Sequence, residues 1–207
     1  MSGLRERKKQ ATREALMSAA LRLTLERGLA NVRNEDIAAE AGVSPRTFSN
    51  YFSSKYEALA ARHTDRAAHQ AAALRARPPG EPLWQALTEA TVQAWELHTG
   101  PEARAPEQDR LAATRLLVDE PGLQAEALKL AQSSQRELAV AVAERTGTDA
   151  GRDLYPHLVA GTVTTAVQVA VGHWLYADPP IPLVPLLRDA LRRLAAGLPD
   201  PSTQGDT

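Results

Sequence analysis

Apolar residues recur every three or four positions along most of this chain, and glycine and proline interrupt them at intervals. Such spacing is typical of amphipathic helices, whereas the period-two alternation of strands is missing. Alanine, leucine, arginine and glutamate, which favour helices, predominate. If the glycines and prolines mark helix ends, the chain is all-α with about nine helices. These are predicted near 8–27, 34–41, 45–52, 54–76, 82–98, 107–119, 121–146, 149–176 and 183–197, with frayed ends at 1–5 and 198–207.

The second and third predicted helices are too short to be stable alone, so they must pack on the first. Gly42 lies between them, where a tight turn needs a positive φ. Ser44 is placed to cap the third helix, and Pro45 suits its first position. Phe48 and Phe52 are four residues apart and would pack inward together. This outline is typical of a helix-turn-helix.

The outward face of the third helix is polar and has no carboxylate. Arginine can bond a guanine edge, asparagine an adenine edge, and the threonine methyl can touch the thymine methyl. The helix start at Ser44 and the side chain of Lys55 are placed to meet phosphates. The alternative is a merely solvated surface helix, which explains less well the turn, the cap and the paired phenylalanines together. The face consists of Arg46, Thr47, Asn50 and, at its edge, Ser49.

Charge is distributed unevenly. Residues 1–55 carry ten Lys and Arg against six Asp and Glu, and residues 56–207 carry 14 against 19. A basic N-terminal part suggests a polyanionic partner at that end, although an excess of this size also arises by chance. We expect a cytoplasmic protein without a membrane span. Residues 1–10 lack the apolar core of a signal peptide, and polar residues interrupt the longest apolar zone, 158–175.

No catalytic motif is recognisable, so the sequence predicts no enzyme. The chain has no cysteine, which excludes disulfides and thiolate metal sites. Asp65 and His69 share a predicted helical face but supply only two ligands, so we expect no metal and no cofactor.

Residues 11–59 resemble the N-terminal domain of the TetR family of transcriptional regulators. The matching features are Leu16, Ala19-Ala20, Gly28, Ile37-Ala38, Ala41-Gly42-Val43-Ser44, Phe48, Tyr51-Phe52, Lys55 and Leu59. The run GVSPRTFSNYF followed by SSK is similar to the branch described as acyl-CoA-like or mycofactocin-regulator-like. The resemblance implies a homodimer in which Arg46, Thr47, Ser49 and Asn50 face the major groove, while Tyr51 and Lys55 hold phosphates.

One position departs from the family pattern. A capping threonine is usual where this chain has Arg33, and Asn34 could cap one residue later. Arg33 would then reach a phosphate or remain solvated, and the sequence leaves both open.

The resemblance divides the chain into a DNA-binding domain at 1–55 and a ligand-binding and dimerisation domain at 56–207. Apolar helices at 149–176 and 183–197 suit a four-helix dimer interface, the core of their own chain, or both. Arg115 and Arg136 could meet an anionic group, or be ordinary surface arginines. Candidate pocket residues, each of which could equally be plain core, are Trp84, Leu87, Thr91, Trp95, Arg115, Leu116, Leu130, Ser134, Thr165, Gln168, Val169 and Trp174.

The predicted function is a repressor that a small hydrophobic or acyl-CoA-like effector releases from a palindromic operator on double-stranded DNA. Three alternatives remain open. A helical enzyme or carrier would turn over or carry acyl-CoA, and an architectural protein would bind random and operator DNA equally. An activator would use the same DNA-binding helix.

Overall fold

The protein is all-helical, as predicted. The computed structural model describes residues 2–97, 111, 115, 120–179 and 181–199. Of the predicted helix at 107–119, all but residues 111 and 115 lies outside the described residues. The described ranges contain eight α-helices and one 3₁₀ turn. They are α1 Ser2–Arg27, the 3₁₀ turn Leu29–Asn31, α2 Asn34–Glu40, α3 Pro45–Tyr51, α4 Lys55–Ala76, α5 Leu83–Leu97, α6 Pro121–Thr146, α7 Leu154–Leu175 and α8 Leu183–Ala195.

The chain divides into two compact units, and α4 and α6 contribute residues to both. Unit 1 comprises Met1–Thr64 and Ala105–Ala131. Its core joins the apolar face of α1 to α2 and α3, because neither short helix can bury its apolar side alone. Gly28, with φ 77°, follows the end of α1. The largest fully buried side chains of this core are Leu16, Leu23, Val32, Ile37, Phe48, Leu59 and Leu123.

Unit 2 comprises Asp65–Arg104 and Gln132–Thr207. Helix α8 packs on α5 and α7, and its Leu187 and Leu191 are fully buried. Its outer side carries Arg188, whose Nη2 donates to Oε2 of Glu89 on α5 at 3.0 Å. At the other end, Nε of Arg75 on α4 donates to Glu144 on α6 at 2.7 Å. Unit 2 is therefore a bundle with an alanine-rich core and ion pairs at its surface.

Helix α7 begins at Leu154, five residues later than the pattern predicted. The intervening residues form a turn in which Asp149 Oδ1 accepts from the Gly151 N–H and Asp153 Oδ2 from the Asp149 N–H, each at 2.7 Å. Short acidic side chains compete with helical hydrogen bonds in this way. The turn fixes the start of α7.

Contrary to the sequence expectation, α7 is long and apolar enough to cross a membrane by length and composition, with a mean hydropathy of 1.3. Its Val159, Ala160 and Val163 nevertheless lie in the core of unit 2. A core helix passes the same test of length and composition, so this property alone assigns no membrane.

Candidate nucleic-acid interface

Helix α3 is started by a serine cap. Ser44 is extended and its Oγ accepts from the Thr47 N–H at 3.1 Å, while Pro45 occupies the first helical position. Oγ of Ser44 also lies 2.9 Å from Oγ1 of Thr47. The cap satisfies one of the amide groups that a helix start leaves unbonded, and it ties Thr47 to the turn.

The inner side of α3 is fixed by aromatic packing. Phe48 is fully buried and Phe52 is 3% exposed, and their ring centroids are 6.0 Å apart. Tyr51 is half-buried, with its ring centroid 6.5 Å from that of Phe52. Because these rings anchor one side of a seven-residue helix, they determine which side chains face outward.

The outward side presents the predicted reading face. Arg46, Ser49 and Asn50 are exposed and Thr47 is half-buried. Oγ of Ser49 donates to the Pro45 carbonyl at 3.1 Å, so this hydroxyl and that of Thr47 are already engaged within the helix. Arg46 and Asn50 are the longer side chains and supply most of the hydrogen-bonding reach.

The turn before α3 has the geometry that the sequence indicated. Gly42 has φ 69°, a left-handed conformation that residues with a side chain rarely adopt. The N–H of Val43 donates to the Ala38 carbonyl at 2.9 Å and that of Gly42 to Ala39 at 3.0 Å, which closes α2 with a Schellman-type end.

Lys55 has a structural role that the sequence did not reveal. Its Nζ donates to the carbonyls of Leu29 at 2.6 Å and Val32 at 2.8 Å, the two ends of the link between α1 and α2. The same ammonium lies 5.6 Å from the Tyr56 ring centroid. An ammonium has three donors, and two of them hold the helix-turn-helix together here. The predicted phosphate contact of Lys55 stays a prediction.

The start of α2 differs from the expectation. Asn34 is the first residue of the helix, so it lies inside α2 and does not cap it; Arg33 occupies the capping position with extended backbone. A guanidinium has no acceptor, so Arg33 cannot cap the helix with its own side chain. Instead the carboxylate of Asp36 accepts from the Arg33 N–H at 2.9 Å. The Arg33 side chain is exposed.

The predicted pocket residues do not form one cluster. Leu87, Thr91, Ser134 and Trp174 are buried in unit 2, and Trp84 and Trp95 are half-buried. Thr165, Gln168 and Val169 lie on an exposed side of α7, and Arg136 is also exposed. Arg115 is exposed and belongs to unit 1, whereas Leu116 and the side chain of Leu130 lie outside the described residues.

Two residues that the sequence reasoning missed face the predicted ones across α4 and α5. Nε2 of Gln70 donates to Oγ1 of Thr91 at 2.7 Å, and the Arg66 guanidinium lies over the Trp95 ring at 3.5 Å. Both pairs are spaced by four residues along each helix, so helical spacing on α4 could have suggested Arg66 and Gln70. Within the described ranges, no group of three or more metal-ligating side chains occurs.

The geometry defines a helix-turn-helix protein with a second helical unit. Residues 16–61 match the family model "Bacterial regulatory proteins, tetR family", and residues 81–199 match "MftR C-terminal domain". The transcriptional regulator TcmR of Streptomyces glaucescens is 33% identical over 178 residues, 85% of this chain and 79% of TcmR. The chain belongs to the TetR family, with an MftR-type C-terminal domain. It is a DNA-binding transcriptional regulator and not an enzyme.

Solved structures agree with this fold. The fatty acid degradation regulator FadR from Bacillus halodurans superimposes with a TM-score of 0.58 at 17% identity, covering 90% of this chain and 96% of FadR. A TetR-family regulator from Rhodococcus sp. gives a TM-score of 0.54 at 22% identity, covering 90% and 98%. These likenesses concern the fold. The family models and the relative TcmR confirm the sequence assignment to this family, made from the helix-turn-helix and its spacing.

Proposed function

We propose that this protein is a homodimeric repressor that leaves a palindromic operator when a small effector binds. The observation that carries the proposal is the rigid, acid-free outer face of α3 in a chain of this family. Two such helices would enter successive major grooves about 34 Å apart. Arg46 and Asn50 would read base edges, Thr47 and Ser49 would add short contacts, and Ser44, Tyr51 and Arg33 would meet phosphates.

The reading face can be tested by substitution. Arg46→Ala and Asn50→Ala should each lose specific operator binding, by about 1–3 kcal/mol per lost bidentate contact, without loss of folding because both side chains are exposed. The operator would first be recovered by in vitro selection with the full chain. Glu35→Ala, an exposed change on α2, serves as the control. Unchanged operator affinity in both variants would show that α3 does not read the site.

The outer side of α7 supports the homodimer. Leu154, Leu158 and Val169 are 54–70% exposed and recur at helical spacing along one side. The hydroxyls of Thr162 and Thr165 on this side donate to the Leu158 and Gly161 carbonyls at 2.8 and 3.0 Å. These threonines therefore present methyl groups, and the side is almost entirely apolar. Exposed apolar stripes of this kind usually meet a partner.

We infer that the partner is a second copy, since a symmetric dimer pairs the same patch with itself. A Cβ added at Gly172 would meet nothing within 4 Å, which leaves room for another helix. Val169→Glu should shift the protein to monomer in analytical ultracentrifugation and weaken operator binding. Glu144→Gln, which changes charge on another surface, should leave the dimer intact. A Val169→Glu protein that stays dimeric would contradict this assignment.

The interior of unit 2 supports the proposal that a small effector binds there. Arg66 lies on α4 and Ser134 on α6, and both belong to unit 2. Ser134 is 8% exposed, and its buried Oγ has no hydrogen-bond partner among the residues that the structure describes. Such an orphan hydroxyl is costly unless a ligand or water satisfies it.

A largely apolar interior with a guanidinium on a tryptophan and an unsatisfied hydroxyl fits a mostly apolar ligand with an acidic head. We therefore propose a small hydrophobic acid or acyl-CoA thioester as effector. Medium- and long-chain acyl-CoA and the free acids should raise the melting temperature and release DNA, and Arg66→Gln should weaken this response. If none of these compounds acts, the effector belongs to another class. We also propose that the protein works in the cytoplasm, where its DNA is.

A further inference from the structure

We propose that residues 2–11, the first turns of α1, form a basic arm that binds the DNA backbone beside the recognition helix through Arg5, Lys8 and Lys9. The proposal rests on the DNA binding assigned to α3 and adds a second, sequence-independent contact surface to it.

The arm lies outside the core of unit 1. Residues 3–11 are all exposed, and burial along α1 begins at Leu16. The ten residues of the arm extend about 15 Å at the rise of an α-helix. Because no buried apolar surface holds these turns, packing does not explain their composition.

The charge of the arm opposes helix formation. Arg5, Arg7, Lys8 and Lys9 stand against one acid, Glu6, and the first turn contains no acidic residue. Positive charge near a helix N-terminus is unfavourable because the aligned peptide dipoles are positive there. The cations therefore do not serve the stability of α1, and a polyanionic partner would compensate them.

Two of the three cations lie on the side of α1 that packs on the helix-turn-helix, and Lys8 lies beside it. At 100° per residue, Arg5 and Lys9 share a helical face with Leu16, Ala20 and Leu23. Those three apolar residues are buried in the core that contains α2 and α3. The face that holds the helix-turn-helix thus continues past its edge, with cations in place of apolar residues.

The arm joins the rest of α1 close to the recognition helix α3. The guanidinium carbon of Arg13 lies 5.4 Å from the ring centroid of Phe52, which is the C-cap of α3. The turns that precede Arg13 therefore leave the domain near the C-terminal end of α3. When α3 occupies a major groove, the phosphates that flank this groove are the nearest polyanion.

The test measures salt dependence with the full chain. Binding to the selected operator and to a random 40-base-pair duplex would be followed by fluorescence anisotropy between 50 and 200 mM KCl. The arm variant is R5Q/K8Q/K9Q. The matched control, R75Q/R152Q/R193Q, removes three exposed cations from unit 2. A second arm variant that lacks residues 2–10 is checked for folding by circular dichroism.

Each lost phosphate contact should make the fall of log K with log salt less steep by about 0.9, or by about 5.4 for the six contacts that a homodimer loses. Over this fourfold salt range the wild type should then lose about 1,800-fold more affinity than the arm variant. The control should keep the wild-type slope, and the ratio of operator to random affinity should not change, because phosphates carry no sequence information.

An arm variant with the wild-type slope on both duplexes would overturn the proposal. If this arm variant had also lost the binding of the wild type to phosphatidylglycerol vesicles, the arm would instead serve a membrane. Failure of the proposed function is a separate result. It would appear in the wild type as equal affinity for the selected and random duplexes.

Discussion

Replacing Lys55 by methionine separates a structural from a DNA-binding role. The methionine keeps the length and apolar stem of lysine, but it cannot donate to the carbonyls of Leu29 and Val32. A hydrogen bond to a charged group contributes roughly 1.5–3 kcal/mol. Because Lys55 is half-buried, water competes for its ammonium group. We therefore expect the two hydrogen bonds together to contribute about 2–3 kcal/mol to the unfolding free energy. This is a large share of the stability of an ordinary domain.

The assay is urea unfolding of the full chain, combined with DNA affinity at several salt concentrations. If Lys55 acts by holding the 3₁₀ turn, Lys55→Met lowers the unfolding free energy by that amount and leaves the salt slope unchanged. If it holds a phosphate, the fall of log K with log salt becomes less steep by about 0.9 per subunit. Arg46→Met, at an exposed position of α3, should change DNA binding without changing stability. An unfolding free energy within about 0.5 kcal/mol of wild type would refute the structural reasoning.

Three further outcomes follow from the described contacts. Ser44→Ala should cost about 1 kcal/mol in urea unfolding because it removes the cap of α3, whereas Ser49→Ala should cost less than about 0.5. Gly42→Ala should cost about 1 kcal/mol in the same assay through its φ of 69° alone, since the added Cβ meets nothing within 4 Å; a neutral result would contradict this. The hydrogen bond from Arg188 lowers the pKa of Glu89 below its ordinary 4.5. The contribution of this pair to the unfolding free energy is therefore present above pH 4.5 and is lost as the pH falls through the lowered pKa. Glu89→Gln should therefore be less stable than wild type at neutral pH, and the difference should shrink as the pH falls below 4.5, as followed by urea midpoints over a pH series.

The helix-turn-helix was predictable because its determinants are local. A positive-φ glycine, a Ser-Pro start and two phenylalanines at helical spacing each constrain the chain within a few residues. The roles of Lys55 and Asp36 were not predictable to the same degree. The Lys55 bonds join residues 26 and 23 positions apart in sequence, and the Asp36 bond replaces the usual cap from inside the helix.

The candidate pocket illustrates a different limit. Helix α7 is apolar on nearly every side, so its pattern does not distinguish residues that face the core of the chain from those that face outward. Val163 and Val169 look alike in sequence, yet one is fully buried and the other is 66% exposed. Likewise, the acidic turn at Asp149 and Asp153 delays the start of α7, although the residues are compatible with a helix.

The short outer face of α3 limits how many base pairs of an operator each subunit could recognise directly. With the hydroxyls of Thr47 and Ser49 bonded within α3, Arg46 and Asn50 would supply most of the base discrimination, about two base pairs per subunit, and the short contacts would add little to it. A dimer would then fix about four base pairs, a pattern that recurs by chance about once in 256 positions. A genome of about 10⁶ base pairs would hold roughly 4,000 decoys. On the proposed function, the operator would therefore be distinguished largely by bases that no side chain touches, through the ease with which its duplex bends and twists to fit both subunits.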